Sequence, residues 1–247
     1  MIYISGDTHG DFRRFSSRNF PQQKQLTRDD YVIILGDFGG IFSDSAEERY
    51  WLKWLSEKNF TILWIDGNHE NFDLLNQYPL LPFHGGYAHQ IRENIYHLCR
   101  GCVFCLDGCH FFVMGGAQSH DSILLSPMHP DFQRMRRILL RQHIAFRVEG
   151  QHWWTQELPN NDELQQAWHN LSCLGSISNL YILSHCAPTD IQRQYFPTYP
   201  INVLTDFLMM LRHRLDYRWW FCGHYHENLT LYHERFQILY NKIIPLK

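Results

Sequence analysis

The sequence predicts an α/β domain built on a largely parallel sheet. Three observations carry this. Short apolar runs alternate with helix-period segments through the first third of the chain. Each run is too short to be a helix and is closed by glycine or polar residues. The β-α-β-α-β order that results requires crossovers, which favour parallel strands with helices on the faces of the sheet.

The elements follow in order. Ile2-Tyr3-Ile4 is a first strand, and Asp11–Arg18 a helix with Phe12 and Phe15 three apart on one face. Tyr31-Val32-Ile33-Ile34-Leu35 reads as a buried strand. Ser45–Lys58 reads as a helix with an apolar stripe of Trp51, Trp54 and Leu55. Thr61-Ile62-Leu63-Trp64-Ile65 is a third strand and Asn71–Gln77 a short helix. From Gly85 to Gly116 the helical period disappears. The runs there, broken at Arg100-Gly101 and Asp107-Gly108, predict a β-meander ending in Phe111-Phe112-Val113-Met114. Residues 131–149 are helical in their first part, and Asp162–Leu171 is another helix before the strand Leu180–Leu183. A helix over Ile201–Arg214, the strand Trp219-Trp220-Phe221, and the strands Leu229–His233 and Phe236–Tyr240 complete the pattern. With no repeat, low-complexity segment or linker, residues 1–247 read as one domain.

Composition narrows the function classes. Of 247 residues, 45% are hydrophobic and 19% charged, with 22 basic against 25 acidic side chains. A chain of this size needs no disulfide or metal staple to hold a core. The net charge of −3 argues against a generic binder of nucleic acid or membrane surface. No apolar run reaches the length of a membrane span. The N-terminus has no basic-then-apolar leader, and the seven cysteines are odd in number, so a cytoplasmic protein is expected.

Polar motifs recur just past the C-terminal ends of the predicted strands. They are Gly6-Asp7-Thr8-His9-Gly10, Gly36-Asp37, Gly67-Asn68-His69-Glu70, Ser184-His185 and Gly223-His224-Tyr225-His226. In open α/β sheets the crevice beyond those ends is where ligands bind. Asp, His and Asn together suit divalent transition metals, whereas an all-oxygen set would suit calcium. Any one motif could be a polar turn, but five in order, each at a strand end, do not arise from unrelated turns.

The ordered set resembles the calcineurin-like metallophosphoesterases, and the motifs span residues 7 to 226. The resemblance implies a four-layer α/β/β/α sandwich with two divalent metal ions, Mn2+ foremost and Fe or Zn as alternatives. By position, Asp7, His9 and His226 would hold one ion, Asn68, His185 and His224 the other, and Asp37 would bridge them. His69 would be the catalytic acid or electrostatic partner at the leaving group. The implied reaction is phosphoester hydrolysis by a water that two metals share and acidify. The expected function is a phosphatase acting on a small phosphorylated molecule or nucleotide, with neither membrane nor long duplex nucleic acid as partner. A phosphodiesterase or nuclease acting on nucleotides or short nucleic acid is the alternative within enzymes. A non-catalytic scaffold is the alternative outside them, disfavoured because all seven ligand positions are intact.

The second motif departs from the family pattern. Many relatives continue it as Gly-Asp-x-x-Asp, and the Ser/Thr protein phosphatases add an Arg. Here Gly40 and Ile41 occupy those places. That argues against a phosphoprotein substrate and leaves the orienting of His69 to another carboxylate, with Asp44 and Asp121 as candidates. The segment Gly115–Asp121 follows a predicted strand, making His120 and Asp121 candidate substrate-binding residues. Phe146-Arg147, Trp153-Trp154 and Glu157-Leu158-Pro159 resemble an insert in a bacterial and phage subgroup of the family; the Trp pair reads as core. Arg134, Arg137 and Arg141 share one helical face, either solvated or an anion clamp. Cys99, Cys102, Cys105 and Cys109 have ferredoxin-like spacing. However, His110 stands where Pro is expected and the run lies in alternating strand sequence, so free thiols are expected there.

Overall fold

A computed structural model describes residues 1–175 and 179–246. Residues 176–178 and 247, which the one-domain expectation includes, lie outside them. The first sheet is built from β1 (Ile2–Ser5), β2 (Tyr31–Ile34), β3 (Thr61–Trp64), β4 (Leu80–Phe83), β5 (Gly86–Arg92), β6 (Ile95–Leu98) and β15 (Ile243–Pro245), in the order β15-β1-β2-β3-β6-β5-β4. The run β1-β2-β3-β6 is parallel, while β15, β5 and β4 pair antiparallel. The second sheet has the order β13-β14-β12-β11-β8-β7. Its strands are β7 (Val103–Leu106), β8 (Cys109–Met114), β11 (Leu180–Ser184), β12 (Trp219–Cys222), β13 (Leu229–Leu231) and β14 (Phe236–Ile238). In it β8, β11, β12 and β14 run parallel.

Strand periodicity sorts the side chains into layers. Ile33, Leu63, Phe111, Val113, Tyr181, Leu183 and Phe221 meet in one buried cluster between the sheets. Their chain neighbours point the other way. Ile34, Ile62 and Trp64 pack outward against helix α1 (Ala46–Ser56), helix α2 (Phe72–Leu75) and a 3-10 turn at Phe12–Phe15. Phe112, Ile182, Trp220 and Cys222 pack outward against α4 (Asn161–Ser172), α5 (Thr189–Tyr195) and α6 (Val203–Arg214). Three cores separated by two sheets make the α/β/β/α sandwich. Local capping starts its helices: Ser45 with Glu48 and Asn160 with Glu163 form reciprocal capping boxes.

Several expectations are revised. The helix over Asp11–Arg18 shrinks to the 3-10 turn at Phe12–Phe15, with Asp11 as its cap. The meander over Gly85–Gly116 is split: β5 and β6 join the first sheet, where the unexpected β4 pairs with β5, and β7 and β8 form a hairpin in the second. The chain changes sheets between Leu98 and Val103. A two-stranded parallel ribbon, β9 (Ile123–Leu125) and β10 (Phe146–Val148), flanks helix α3 (Phe132–Arg141). Among the described residues no helix is long and apolar enough to cross a membrane.

Candidate metal and catalytic site

Five of the parallel strands, β1, β2, β3, β11 and β12, end at the same side of the sandwich and deliver their polar motifs there. Asp7 and His9 follow β1, Asp37 follows β2, and Asn68 and His69 follow β3. His185 follows β11, and His224 and His226 follow β12. Loops this crowded demand unusual backbone. His9, Asp37, His224 and His226 all have positive φ, between 45° and 69°. Such strain persists only where surrounding contacts overdetermine it, and it gathers at functional sites. The motif glycines make the crowding possible. A Cβ on Gly67 would stand 2.0 Å from Asp37 Oδ1, and one on Gly223 2.1 Å from Asp7 Oδ1.

The ligand atoms of Asp7, His9, Asp37 and His226 all lie within 4.8 Å of one another. His226 Nε2 is 3.3 Å from Asp7 Oδ2, and His9 Nε2 is 3.5 Å from Asp37 Oδ2. On the other side of Asp37, His185 Nε2 stands 3.5 Å from its Oδ1 and 3.3 Å from Asn68 Oδ1. The His224 ring centroid is 5.0 Å from that of His185. The seven side chains therefore form one cluster, with Asp37 at its middle.

Neighbouring groups fix the orientation of these side chains. His185 Nδ1 donates to the Leu35 carbonyl at 2.6 Å, which aims the other nitrogen at Asp37 and Asn68. Asn68 Nδ2 donates to Ser119 Oγ at 3.2 Å, which leaves its carbonyl facing His185. Asp7 accepts the His224 backbone N–H at 3.0 Å, and Asp37 accepts that of His69 at 2.8 Å.

Asp7 and Asp37 are almost fully buried. Two carboxylates out of water need positive charge nearby, and among the imidazoles His185 and His226 are the ones they favour in the charged form. Burial opposes charge on His185, but Asp37 and Asp7 raise it to about 10. Burial would raise the Asp37 carboxyl, yet His185, His69 and His9 hold it below the usual carboxylate range. His226 is raised chiefly by its hydrogen bond to Asp7. His224 is pushed well below the usual range by burial and by His185. Buried carboxylates, oriented imidazole nitrogens and an amide oxygen make a donor set that fits divalent transition metals.

His69 lies beside this cluster, its ring centroid 5.5 Å from that of His9. Burial lowers its pKa, Asp37 opposes the shift and Arg147 adds to it. Arg147 Nη1 approaches His69 Nδ1 and Ser119 Oγ at 3.4 Å each, and Nη2 donates to Asp121 at 2.7 Å. Of the two carboxylates expected to orient His69, Asp44 is exposed and pairs with Arg49. Asp121 holds Arg147, which approaches His69, and its charge also opposes the lowering of the His69 pKa. Gly40 has no space for the family's Asp, since a Cβ there would meet the Phe38 ring at 2.4 Å. Ile41 is buried in the outer core of the first sheet. The His120 ring lies 4.3 Å from that of Tyr199, tilted against it, and edge-on 5.9 Å from that of His224, so the loop after β8 does line the crevice.

The arginine at the site is Arg147 on β10. Arg134, Arg137 and Arg141 are exposed on α3. Trp154 is buried and donates to Asp73, and the half-buried Trp153 donates to the Leu125 carbonyl. Three further residues support the site: Arg14, which carried no sequence signal, and Glu70 and Glu157, which lie within the sequence motifs without a role assigned to them. Arg14 donates to the carbonyls of Asp7, Gly6 and Tyr240. Glu70 accepts the backbone N–H groups of Phe38 and Gly67, tying two ligand loops together. Burial and the nearby Asp37 raise Glu70 well above the usual carboxyl range. Glu157 accepts the Ser119 N–H at 3.0 Å. The His9–His226 side is open, their side chains being 34% and 51% exposed. A cavity of about 580 Å³, lined by His9, Arg13 and Tyr240 among others, adjoins it.

The family model described as calcineurin-like phosphoesterase matches residues 1–228. A comparison with curated proteins gives no match.

Proposed function

The chain belongs to the calcineurin-like phosphoesterase family, and on that premise we propose that it is a phosphatase for a small phosphorylated substrate, working with two divalent ions. Family membership makes metal-dependent phosphoester hydrolysis its class of reaction; the substrate, the ion count and the residue roles are our reading. The supporting observation is the convergence of seven donor side chains from five strand ends, with Asp37 among them at the centre. In this reading Asp7, His9 and His226 would hold one ion, Asn68, His185 and His224 the other, and Asp37 would serve both, with Mn2+ the expected metal. Bound divalent ions acidify water and neutralise phosphoryl oxygens.

The chain's own residues do the rest. His69 is neutral near pH 7, because burial and Arg147 lower its pKa. With Arg147 donating to Nδ1, the neutral ring keeps its proton on Nε2, where it can hydrogen-bond the leaving-group oxygen as an electrostatic partner, the proton that this oxygen finally takes coming from solvent. Arg147 also supplies the planar cation that Ile41 does not, and so grips a phosphoryl oxygen. Asp121 anchors Arg147, and His120 with Tyr199 walls the far side of the crevice. Residues 1–247 act as a single domain in this reading, supported by β15 completing the sheet beside β1. A cytoplasmic setting would keep its seven free cysteines reduced.

The test is hydrolysis of a chromogenic phosphomonoester and its diester by metal-stripped protein refilled with Mn2+, with Asp37→Asn as the blank. Mn2+-dependent monoester turnover that the variant lacks is the expected result. Preference for the diester would select the phosphodiesterase reading, which the open His9–His226 side would accommodate. Failure to retain any metal would overturn both.

A further inference from the structure

Three ligand-type side chains meet outside the crevice, on the helix-facing side of the first sheet. Strand pairing puts them there. His89 on β5 stands directly opposite His97 on β6. Cys99 lies two residues beyond His97 and continues the ladder by donating its N–H to the Tyr87 carbonyl at 3.0 Å. Residues two apart on a strand share a face, and directly opposed residues do too. One nitrogen from each histidine and the Cys99 sulfur all lie within 4.8 Å of one another.

The hydrogen bonds decide which nitrogens are free. His89 Nδ1 is held by the Leu75 carbonyl at 3.0 Å, leaving Nε2. His97 Nε2 is held by Asp66 Oδ1 at 3.2 Å, leaving Nδ1. That Nδ1 is buried and has no hydrogen-bond partner among the described residues, in a side chain only 7% exposed. A buried polar nitrogen without a partner calls for an explanation. The pattern matches that of metal-bound histidines, whose second nitrogen is fixed by a carboxylate or a carbonyl. Asp66 is itself fixed by Arg100 Nε at 2.6 Å.

We propose that His89 Nε2, His97 Nδ1 and Cys99 Sγ bind a thiophilic divalent cation of the Zn2+ type, with water in the fourth position. Zinc bonds of about 2.0–2.1 Å to nitrogen and 2.3 Å to sulfur set tetrahedral donors roughly 3.3–3.6 Å apart. The observed limit of 4.8 Å is wider than this, so the side chains must draw together by up to about 1.5 Å on binding. Thiolate and imidazole select zinc over Mn2+, whose preference is for oxygen donors. On binding, the Cys99 S–H loses its proton to solvent and both imidazoles enter neutral, so one proton is released per ion. Half-buried His89 and Cys99 leave the ion a path from solvent. This site shares no residue with the crevice. It would staple β5 and β6 to Asp66, one residue before Gly67-Asn68-His69.

The experiment is a Co2+ titration of the full chain, reduced and metal-stripped, read by the thiolate-to-cobalt charge-transfer absorption. The wild type should develop the band, Cys99→Ser and His89→Ala should lose it, and Cys105→Ser and Asp37→Asn should keep it. Absence of the band in the wild type, or its survival in Cys99→Ser, would overturn the proposal. Should the Cys99 variant not fold, wild-type protein serves instead: Zn2+ should block alkylation of Cys99 while the exposed Cys105 and Cys173 react as before. Equal modification of Cys99 with and without Zn2+ would be equally decisive against the site.

Discussion

Replacing Glu157 by Gln should stabilise the protein at pH 8 and leave it unchanged at pH 4. Glu157 is buried; its Oε2 accepts the Ser119 N–H, while its Oε1 has no partner among the described residues. Burial outweighs that hydrogen bond and the charge of Arg147, raising the carboxyl from 4.5 to about 7. Below pH 4.5 the group is protonated whether the chain is folded or not. Between pH 4.5 and 7 the unfolded chain gives up the proton and the folded one keeps it, so stability falls as pH rises. At about 1.4 kcal/mol per pH unit the loss reaches roughly 3 kcal/mol by pH 7 and is constant above it. Glutamine has no such titration. In a chain of this size the variant should melt about 6–12 °C above the wild type at pH 8. The assay is thermal or urea unfolding of both proteins at pH 4, 6 and 8. A gap of the same size at every pH, or none at pH 8, would refute a carboxyl held protonated by burial.

Arg147→Ala should lower kcat/KM about 10- to 100-fold, the effect of losing a charge-assisted contact to phosphate, and Arg147→Lys should recover only part of it in steady-state assays. Gly67→Ala should weaken Mn2+ retention measured by metal analysis, because the new Cβ would fall 2.0 Å from Asp37 Oδ1. Phe38 stacks on Trp64 with centroids 4.7 Å apart and both rings fully buried, so Phe38→Ala should cost about 3–5 kcal/mol in denaturant unfolding.

The strands that carry the proposed ligands were legible because each is a buried apolar run ending abruptly in Gly and a polar residue. Ile33 and Ile34, or Leu183 and Ser184, announce themselves by burial on both faces. The elements that escaped have weaker local patterns. In β4, Leu80 and Leu81 are exposed and Pro82 sits at a sheet edge, which reads as a loop. β9 and β10 have three residues each and pair across the whole of α3. The arrival of Arg147 beside His69 depends on that pairing, so no spacing rule along the chain could foretell it. The cysteine run shows the converse. Its iron–sulfur spacing is dissolved by topology: Cys99 directly follows β6 of one sheet while Cys105 and Cys109 lie on a hairpin in the other. Gly40 and Ile41 were legible as departures, but the reason for them, the Phe38 ring filling the space, belongs to packing.

The Asp7 carboxylate accepts the N–H of a residue 217 positions along the chain. A contact of that span forms only after nearly the whole polypeptide has been brought back on itself, and the entropy of closing so long a loop is lost before the contact returns anything. Topologies dominated by such pairings fold slowly compared with helical ones. β1 meets the same delay on its other side, where its neighbour is β15. The crevice therefore has no local nucleus. Its two halves can each be assembled early, but the seam between the sheets exists only once folding is essentially complete. Refolding followed by Trp fluorescence, which reads the cores, should thus run ahead of refolding followed by recovery of activity.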